Sequence, residues 1–211
     1  MSDSINTTSA GSRRFIVRIT TTAIFTALAV VLMFLEVPLP LMPPFLKFDF
    51  SEIPVLVATF ALGPVYGIII ELLKNLIHLP WTGTMAIGEM SNFITGSIFV
   101  GTAGLIYRKH RTRKGAVVSM IAATLALAVI AVPVNAFINL PLYASVLGMT
   151  MESILGWTQT VNPAIDSEFK LLLLGFVPFN LFKGIVVSVI TFFVYKPISK
   201  LINSTYEKTK D

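Results

Sequence analysis

Long apolar runs recur from one end of the chain to the other, separated by short clusters of charge, proline or glycine. The first covers about Phe15–Leu35. Ser51–Leu62 and Val65–Leu79 follow, divided by Gly63-Pro64, and then come Met90–Tyr107, Val117–Val146 and Leu171–Phe193. About 20 predominantly apolar residues cross the hydrocarbon core of a bilayer as a helix, the form that satisfies its own backbone polar groups. The pattern therefore predicts an all-α integral membrane protein with six transmembrane helices. The second and third runs are short for this task. A dozen helical residues rise only about 18 Å against a core of about 30 Å, so these segments must be tilted, shielded or longer than the pattern suggests.

The interruptions carry their own signals. Glu36–Asp49 reads EVPLPLMPPFLKFD, and its four prolines exclude a regular helix. Because it is also apolar, residues 36–50 are expected to form a lid over the bundle or to lie at the interface, with Lys47 and Asp49 as polar tips. Ser51 and Pro54 resemble the N-cap and first turn of the next helix. Leu79–Glu89 reads as a turn with Trp81 at the membrane–water interface, and Met149–Glu168 as a polar loop. Residues 1–12 are expected to be a disordered polar tail, 13–203 a single membrane domain, and 204–211 a second tail.

Charge orients this arrangement. With six spans, both termini share a side with the RKHRTRK loop Arg108–Lys114, and that side holds 12 of the 16 Lys and Arg residues. The opposite loops hold Glu36, Asp49, Glu52, Glu152, Asp166 and Glu168. An excess of Lys and Arg marks cytoplasmic loops, which predicts a multi-pass protein of the cell membrane with cytoplasmic termini and the proline-rich loop outside. The net charge of +5 is thus a topology signal in contact with membrane lipid, not a nucleic-acid footprint. Charged residues make up 13% of the chain, against about 25% in soluble domains, and the mean hydropathy is +0.80, so no sizeable soluble domain is expected.

Catalytic chemistry is sparse. There is no cysteine, and the two histidines, His78 and His110, do not stand at metal-ligand spacing from a second His, Asp or Glu. Neither a Gly-x-Ser-x-Gly elbow nor a phosphate-cradling Gly-Lys-Ser/Thr loop occurs. The expectation is a protein that is not an enzyme, has no ATPase site and holds no cofactor or metal. If it moves a solute uphill, the energy must come from an ion gradient or another subunit.

Polar residues inside the apolar runs are the functional candidates. The sixth run reads LLLLGFVPFNLFKGIVVSVITFF, with Asn180 and Lys183 near its middle. An ionisable group at that depth costs roughly 2.5–3.5 kcal/mol and normally faces a bundle interior or cavity. Asn180 and Lys183, three apart, share a helix face, and Pro178 just before them removes a backbone donor. Lys183 is too far from either basic flank to snorkel easily to water, which favours a polar ligand site. Asn135 and Asn139 form a similar pair in the fifth run, beside Pro133 and Pro141. Glu71 and Lys74 can pair on one face of the third, either as an internal ion pair or as ligand contacts. Amides and a lysine, with Phe137, Phe179 and Phe182 available for stacking, suit a neutral, hydrogen-bonding solute. In the first run Ala23-x-x-x-Ala27, followed by Ala29, forms a small-residue strip that lets another helix approach, within the chain or from a partner.

Several fragments in order carry a family resemblance: Phe45-Leu46-Lys47-Phe48-Asp49-Phe50-Ser51-Glu52-Ile53-Pro54, Gly63-Pro64-x-x-Gly67, Glu71-x-x-Lys74-Asn75, Gly88-x-x-x-Asn92-Phe93-x-x-Gly96, Asn135 followed by Leu140-Pro141-x-Tyr143, and Pro178-Phe179-Asn180-x-x-Lys183-Gly184. Together they resemble the substrate-binding S components of energy-coupling factor (ECF) transporters, of the riboflavin-specific type. The resemblance implies a six-helix subunit that binds riboflavin tightly from outside as transported substrate. It places ring-binding polar groups at Asn135, Asn180 and Lys183, with lid contacts near Leu46 and Lys47; Phe182, from the stacking aromatics above, joins the expected substrate-binding set. It also implies a transmembrane coupling subunit, packed against the Ala23/Ala27 face, and two cytoplasmic ATPases that drive rotation of the whole subunit. Rival readings are an S component for another vitamin or for FMN, and a structural membrane subunit in which Asn180 and Lys183 only pack.

Overall fold

The computed structural model describes residues 3–43 and 45–207. Among the described residues the regular elements are helices and one two-stranded ribbon: α1 (Asp3–Met33), β1 (Val37–Pro38), β2 (Lys47–Phe48), α2 (Glu52–Leu62), α3 (Pro64–His78), α4 (Ile87–Lys109), α5 (Arg113–Val134), α6 (Leu140–Leu147), α7 (Met151–Gln159), α8 (Glu168–Lys170) and α9 (Val177–Glu207). Four stretches are long and apolar enough to cross a membrane: Phe15–Met33, Ile87–Lys109, Arg113–Leu147 and Glu168–Ile198. Large apolar side chains such as Val129, Phe137 and Phe193 point outward, each more than 70% exposed, while Glu71 and Lys74 are fully buried. That inversion suits a hydrocarbon solvent rather than water.

Helix α1 begins at Asp3, so residues 3–12, expected as an unstructured tail, extend the first helix. Adding residues to an existing helix carries no nucleation cost. Residues 204–207 likewise continue α9, while the remaining tail positions, 1–2 and 208–211, lie outside the described residues. The proline-rich segment does fold as a loop, pinned by the antiparallel ribbon in which Val37 faces Phe48 and Pro38 faces Lys47.

The prolines of the fifth and sixth runs do not interrupt them. Pro141 and Pro178 each lack an N–H, and each follows closely on a π-helical turn, Asn135–Asn139 and Leu171–Phe176. There the Leu140 N–H bonds the Asn135 carbonyl and the Val177 N–H bonds the Leu172 carbonyl, five residues back. The wider turn gives the proline ring room beside the carbonyl it would otherwise strike. Pro133 and Pro197 sit within α5 and α9, and α9 runs on well past Phe193, where the sixth apolar run ends.

Residues 149–168 are a second departure, since a helix, α7, stands where a polar loop was expected. Thr150 caps it, its Oγ1 accepting from the Ser153 N–H at 3.2 Å. Ile154 and then Ile165 bury against Leu140, Leu171 and Phe176. Two cores result. One joins Phe25 and Ala29 of α1 to Leu56, Phe60, Phe99, Met120, Leu127 and Val187. The other lies around α6, α7 and the π turn before α9, with Phe45 and Leu46 of the loop packed against it.

Helix α2 resolves the length puzzle by shielding: eight of its eleven residues are buried among its neighbours. It ends where Gly63 adopts φ 108°, a left-handed conformation that only glycine takes cheaply, and Pro64 at the first position starts α3 folding back on it.

Candidate functional site

A short, shielded α2 has a consequence for chemistry, because its first turn lies inside the bundle and carries a carboxylate there. Glu52 is 1% exposed. Its Oε1 accepts from Lys74 Nζ at 2.8 Å, and the same ammonium donates to Ser51 Oγ at 2.9 Å. Glu71 Oε1 pairs with it at 3.0 Å, the i,i+3 ion pair expected within α3. Lys74 thus donates two hydrogen bonds and forms a close ion pair with Glu71, whose carboxylate oxygens accept no hydrogen bond. Ser51 is not the cap expected of it: its backbone is already helical and its side chain caps nothing. A buried ammonium takes the hydroxyl instead, and Asp49 Oδ1 accepts the Ser51 N–H at 2.7 Å. Gly96 of α4 makes space for this knot, since a Cβ there would stand 2.5 Å from Glu71 Oε2 and 3.1 Å from Glu52 Oε1.

Lys183 of α9 lies beside the same carboxylate but is held more loosely. It donates to Asn92 Oδ1 at 3.1 Å, while Asp49 Oδ2 and Glu52 Oε1 each stand 3.6 Å away. A cavity of about 10 Å³, lined by Glu52, Thr95, Leu127 and Val187, lies against it. That is room for a single water.

Two of the amides bond each other next to Ser91, the neighbour of Asn92. Asn139 donates to Asn135 Oδ1 at 2.7 Å and to Ser91 Oγ at 2.8 Å. Asn135 donates back to the Ala131 carbonyl, and Asn180 to the Phe176 carbonyl. All three amides are buried, and Asn139 Oδ1 accepts no hydrogen bond. An amide offers two hydrogens and two lone pairs, so the cluster has hydrogen-bonding capacity beyond what the protein uses. The Asn135–Asn139 pair is built by the π turn at 135–139 and the first turns of α4, whereas Asn180 bonds within its own helix.

The loop lies against this cluster. Phe45 packs on Tyr143 and Phe176, with ring centroids 6.3 and 6.0 Å apart, and Phe48 packs edge-on against Phe182 at 5.6 Å. Leu46 joins the second core. Lys47 stands apart: its ammonium pairs at 2.5 Å with Glu36 across the ribbon, and both side chains are partly in solvent. Phe182 is 41% exposed at the loop's edge. Phe179 is buried near Asn180, but Phe137, expected as a stacking partner, is 79% exposed on the outer surface; two residues from both Asn135 and Asn139, it lies on the opposite helix face. Ala23 and Ala27 are exposed on α1, whereas Ala29 is buried in the first core.

Sequence reasoning left out Asp49 and Glu52, treating both as loop charges in water, along with the hydrogen-bonding role of Ser91 and Asn92. The structure buries Asp49 and Glu52. A signal was present, since a helix too short to cross the membrane cannot hold both ends at its surfaces. Asn92 lies deeper than predicted because α4 begins at Ile87 rather than Met90.

The amides, one loosely held ammonium and an apolar aromatic loop offer donors and acceptors of the kind that suit a hydrogen-bonding edge. The chain is also similar to known proteins. Residues 17–195 match the family model of the ECF transporter, substrate-specific component. The chain is 33% identical over 186 residues to the riboflavin transporter RibU of Staphylococcus aureus (strain TCH60), a match covering 88% of this chain and 92% of that protein. It is 33% identical over 173 residues to the riboflavin transporter FmnP of Bacillus subtilis (strain 168), covering 80% and 84%. A solved structure of the S component of a bacterial ECF transporter superposes with a TM-score of 0.70 at 34% identity, over 88% of this chain and 96% of that one. The chain belongs to the substrate-specific components of ECF transporters.

Proposed function

We propose that this protein binds riboflavin with high affinity at the outer side of the cell membrane and mediates its uptake as the substrate-specific subunit of an ATP-driven ECF transporter. The observation that carries this reading is the buried set Asn135, Asn180 and Lys183, assembled under an aromatic loop in a chain one-third identical to proteins named riboflavin transporters. Isoalloxazine pairs a flat apolar body with a uracil-like edge of carbonyls and N–H groups. Amides can match both donors and acceptors on that edge, and Lys183 can turn its unfilled hydrogens to a ring carbonyl. Leu46 and Phe182 cover the ring. Lys47 acts at a distance, holding the ribbon shut through Glu36. Because Asp49 stands 3.6 Å from Lys183, opening the loop also uncovers the ammonium.

In this reading α2 is a short span shielded by its neighbours and α3 a short span with one face open to lipid, the termini are cytoplasmic, and riboflavin is cargo rather than a cofactor. The subunit itself hydrolyses nothing. A transmembrane coupling subunit packs on the exposed Ala23/Ala27 face of α1, where small side chains permit close approach, and two cytoplasmic ATPases supply the energy. The test is the absorption spectrum of the purified protein, extraction of any bound molecule, and fluorescence-quenching titrations with riboflavin and FMN. A flavin spectrum near one-to-one, riboflavin in the extract and tighter quenching of riboflavin than of FMN are expected. A colourless protein that quenches neither flavin overturns the assignment.

A further inference from the structure

Away from the amide cluster, α5 and α9 enclose an apolar groove of about 490 Å³ that opens to the outer surface of the bundle. Its walls are Val117, Ile121 and Leu125 on one helix and Ile185, Val189 and Phe193 on the other. The only polar groups along it, Thr124 and Ser188, face each other at 3.4 Å and so satisfy one another. Each wall runs for about 12 Å along its helix.

The two walls continue into charge at the same end. On α5, Arg113 and Lys114 precede Val117 by four and three residues, and therefore share its face. On α9, Lys196 follows Phe193 by three, and Lys200 follows Lys196 by four. All four are exposed, and among the described residues none is paired with a carboxylate. A greasy slot ending in unpaired cations matches one molecule available throughout a membrane. A partner helix, about 10–12 Å across with its side chains, cannot enter a groove between two helices already in contact, whereas a hydrocarbon chain can.

We propose that this groove is a site for an anionic phospholipid, with one acyl chain between α5 and α9 and the phosphate held by Arg113, Lys114 and Lys196. Basic pockets at the ends of membrane helices bind anionic headgroups, and each cation near the surface contributes about fivefold. The lipid would brace the α5–α9 pair, the two helices that carry the amides and Lys183, and the proposal does not depend on which solute they bind.

Native mass spectrometry of the protein released from detergent containing equimolar phosphatidylglycerol and phosphatidylcholine tests it. The natural protein is expected to retain phosphatidylglycerol selectively. Lys114→Gln with Lys196→Gln should cut that selectivity about 25-fold, fivefold for each cation, and Ile185→Trp, which fills the groove, should abolish retention of both lipids. Riboflavin quenching measured in parallel reports whether each variant is folded, and the double surface variant reads the headgroup contact even if Ile185→Trp does not fold. Equal retention of the two lipids by the natural protein, or selectivity unchanged in the double variant, overturns the site. So does an Ile185→Trp variant that keeps its lipid but no longer assembles with an ATP-hydrolysing module, which would make the groove a protein-docking surface.

Discussion

Two ammonium groups lie inside the same bundle and are held in opposite ways. Lys74 is fully buried, with Ser51, Glu52 and Glu71 all within 3.0 Å. Lys183 is 8% exposed, has one acceptor at 3.1 Å, and has two carboxylates only at 3.6 Å. Either charge, alone at this depth, costs several kcal/mol. Around Lys74 the protein offsets that cost itself, fastening α2 to α3. Around Lys183 it offsets only part, leaving donors directed at whatever occupies the space under the loop. Glu52 touches both, at 2.8 and 3.6 Å, so the rigid knot also positions the free group. On the proposed reading, the tightly held cation is architecture and the loosely held one is the receptor.

The largest expected effect breaks the tightly held member. Lys74→Met leaves Glu71 buried without its counter-charge and Glu52 with only the 3.6 Å contact to Lys183, and removing one partner of a buried pair costs about 3–5 kcal/mol. The variant should be lost from the membrane fraction or aggregate on gel filtration, while Lys183→Met stays monodisperse. If Lys183→Met were the one to aggregate, the roles assigned to the two lysines would be reversed.

Next comes the receptor side. A hydrogen bond to a charged group contributes about 1.5–3 kcal/mol and a neutral one about 0.5–1.5 kcal/mol. Lys183→Ala should therefore weaken riboflavin binding by about 10- to 150-fold, and Asn180→Ala or Asn135→Ala by about 2- to 12-fold. Fluorescence quenching measures the affinities, and melting temperatures in detergent should move little. Normal binding in both Lys183→Ala and Asn180→Ala would place the ligand elsewhere.

A third change strains the boundary between the two regions. Gly96→Ala pushes a methyl group into Glu71 and Glu52, and overpacking of this kind costs about 1–3 kcal/mol. A melting temperature lowered by several degrees is expected, together with weaker riboflavin binding, because Glu52 also borders Lys183. A lower melting point with unchanged affinity would uncouple the knot from the site.

How much of this was legible beforehand follows from how local each signal is. The apolar runs, the loop and the Glu71–Lys74 pair are readable because their partners lie within a few residues. The third partner of Lys74 is not: Glu52 lies 22 residues away and reaches it only because α2 folds back through Gly63. Proline signals a helix break, yet at Pro141 and Pro178 the chain instead widens one turn to i→i−5 bonding, a choice made by packing on both sides of the helix. The outward position of Phe137, with Asn135 and Asn139 buried, was by contrast readable, because a spacing of two from each amide puts it on the opposite helix face. Helix α7 was obscured because its buried face is only Ile154 and Thr158, too sparse a stripe to stand out among polar neighbours.

Lys47 sharpens the comparison from the other end, as a third lysine whose charge is met in water. Resemblance alone ranks it with Lys183, but its ammonium turns away to Glu36, with side-chain exposures of 54% and 32%. An ion pair that exposed contributes about 0.2–1 kcal/mol and is screened by salt. If Lys47 only helps to close the ribbon, Lys47→Ala weakens riboflavin binding about two- to fivefold, Glu36→Gln does the same, and the double variant is no worse than either single one. Raising the salt concentration should shrink the difference between the natural protein and these variants, since it weakens the pair they lack. A loss for Lys47→Ala as large as that for Lys183→Ala, with Glu36→Gln unaffected, would mean that Lys47 leaves Glu36 and contacts the ligand directly when the loop closes over it.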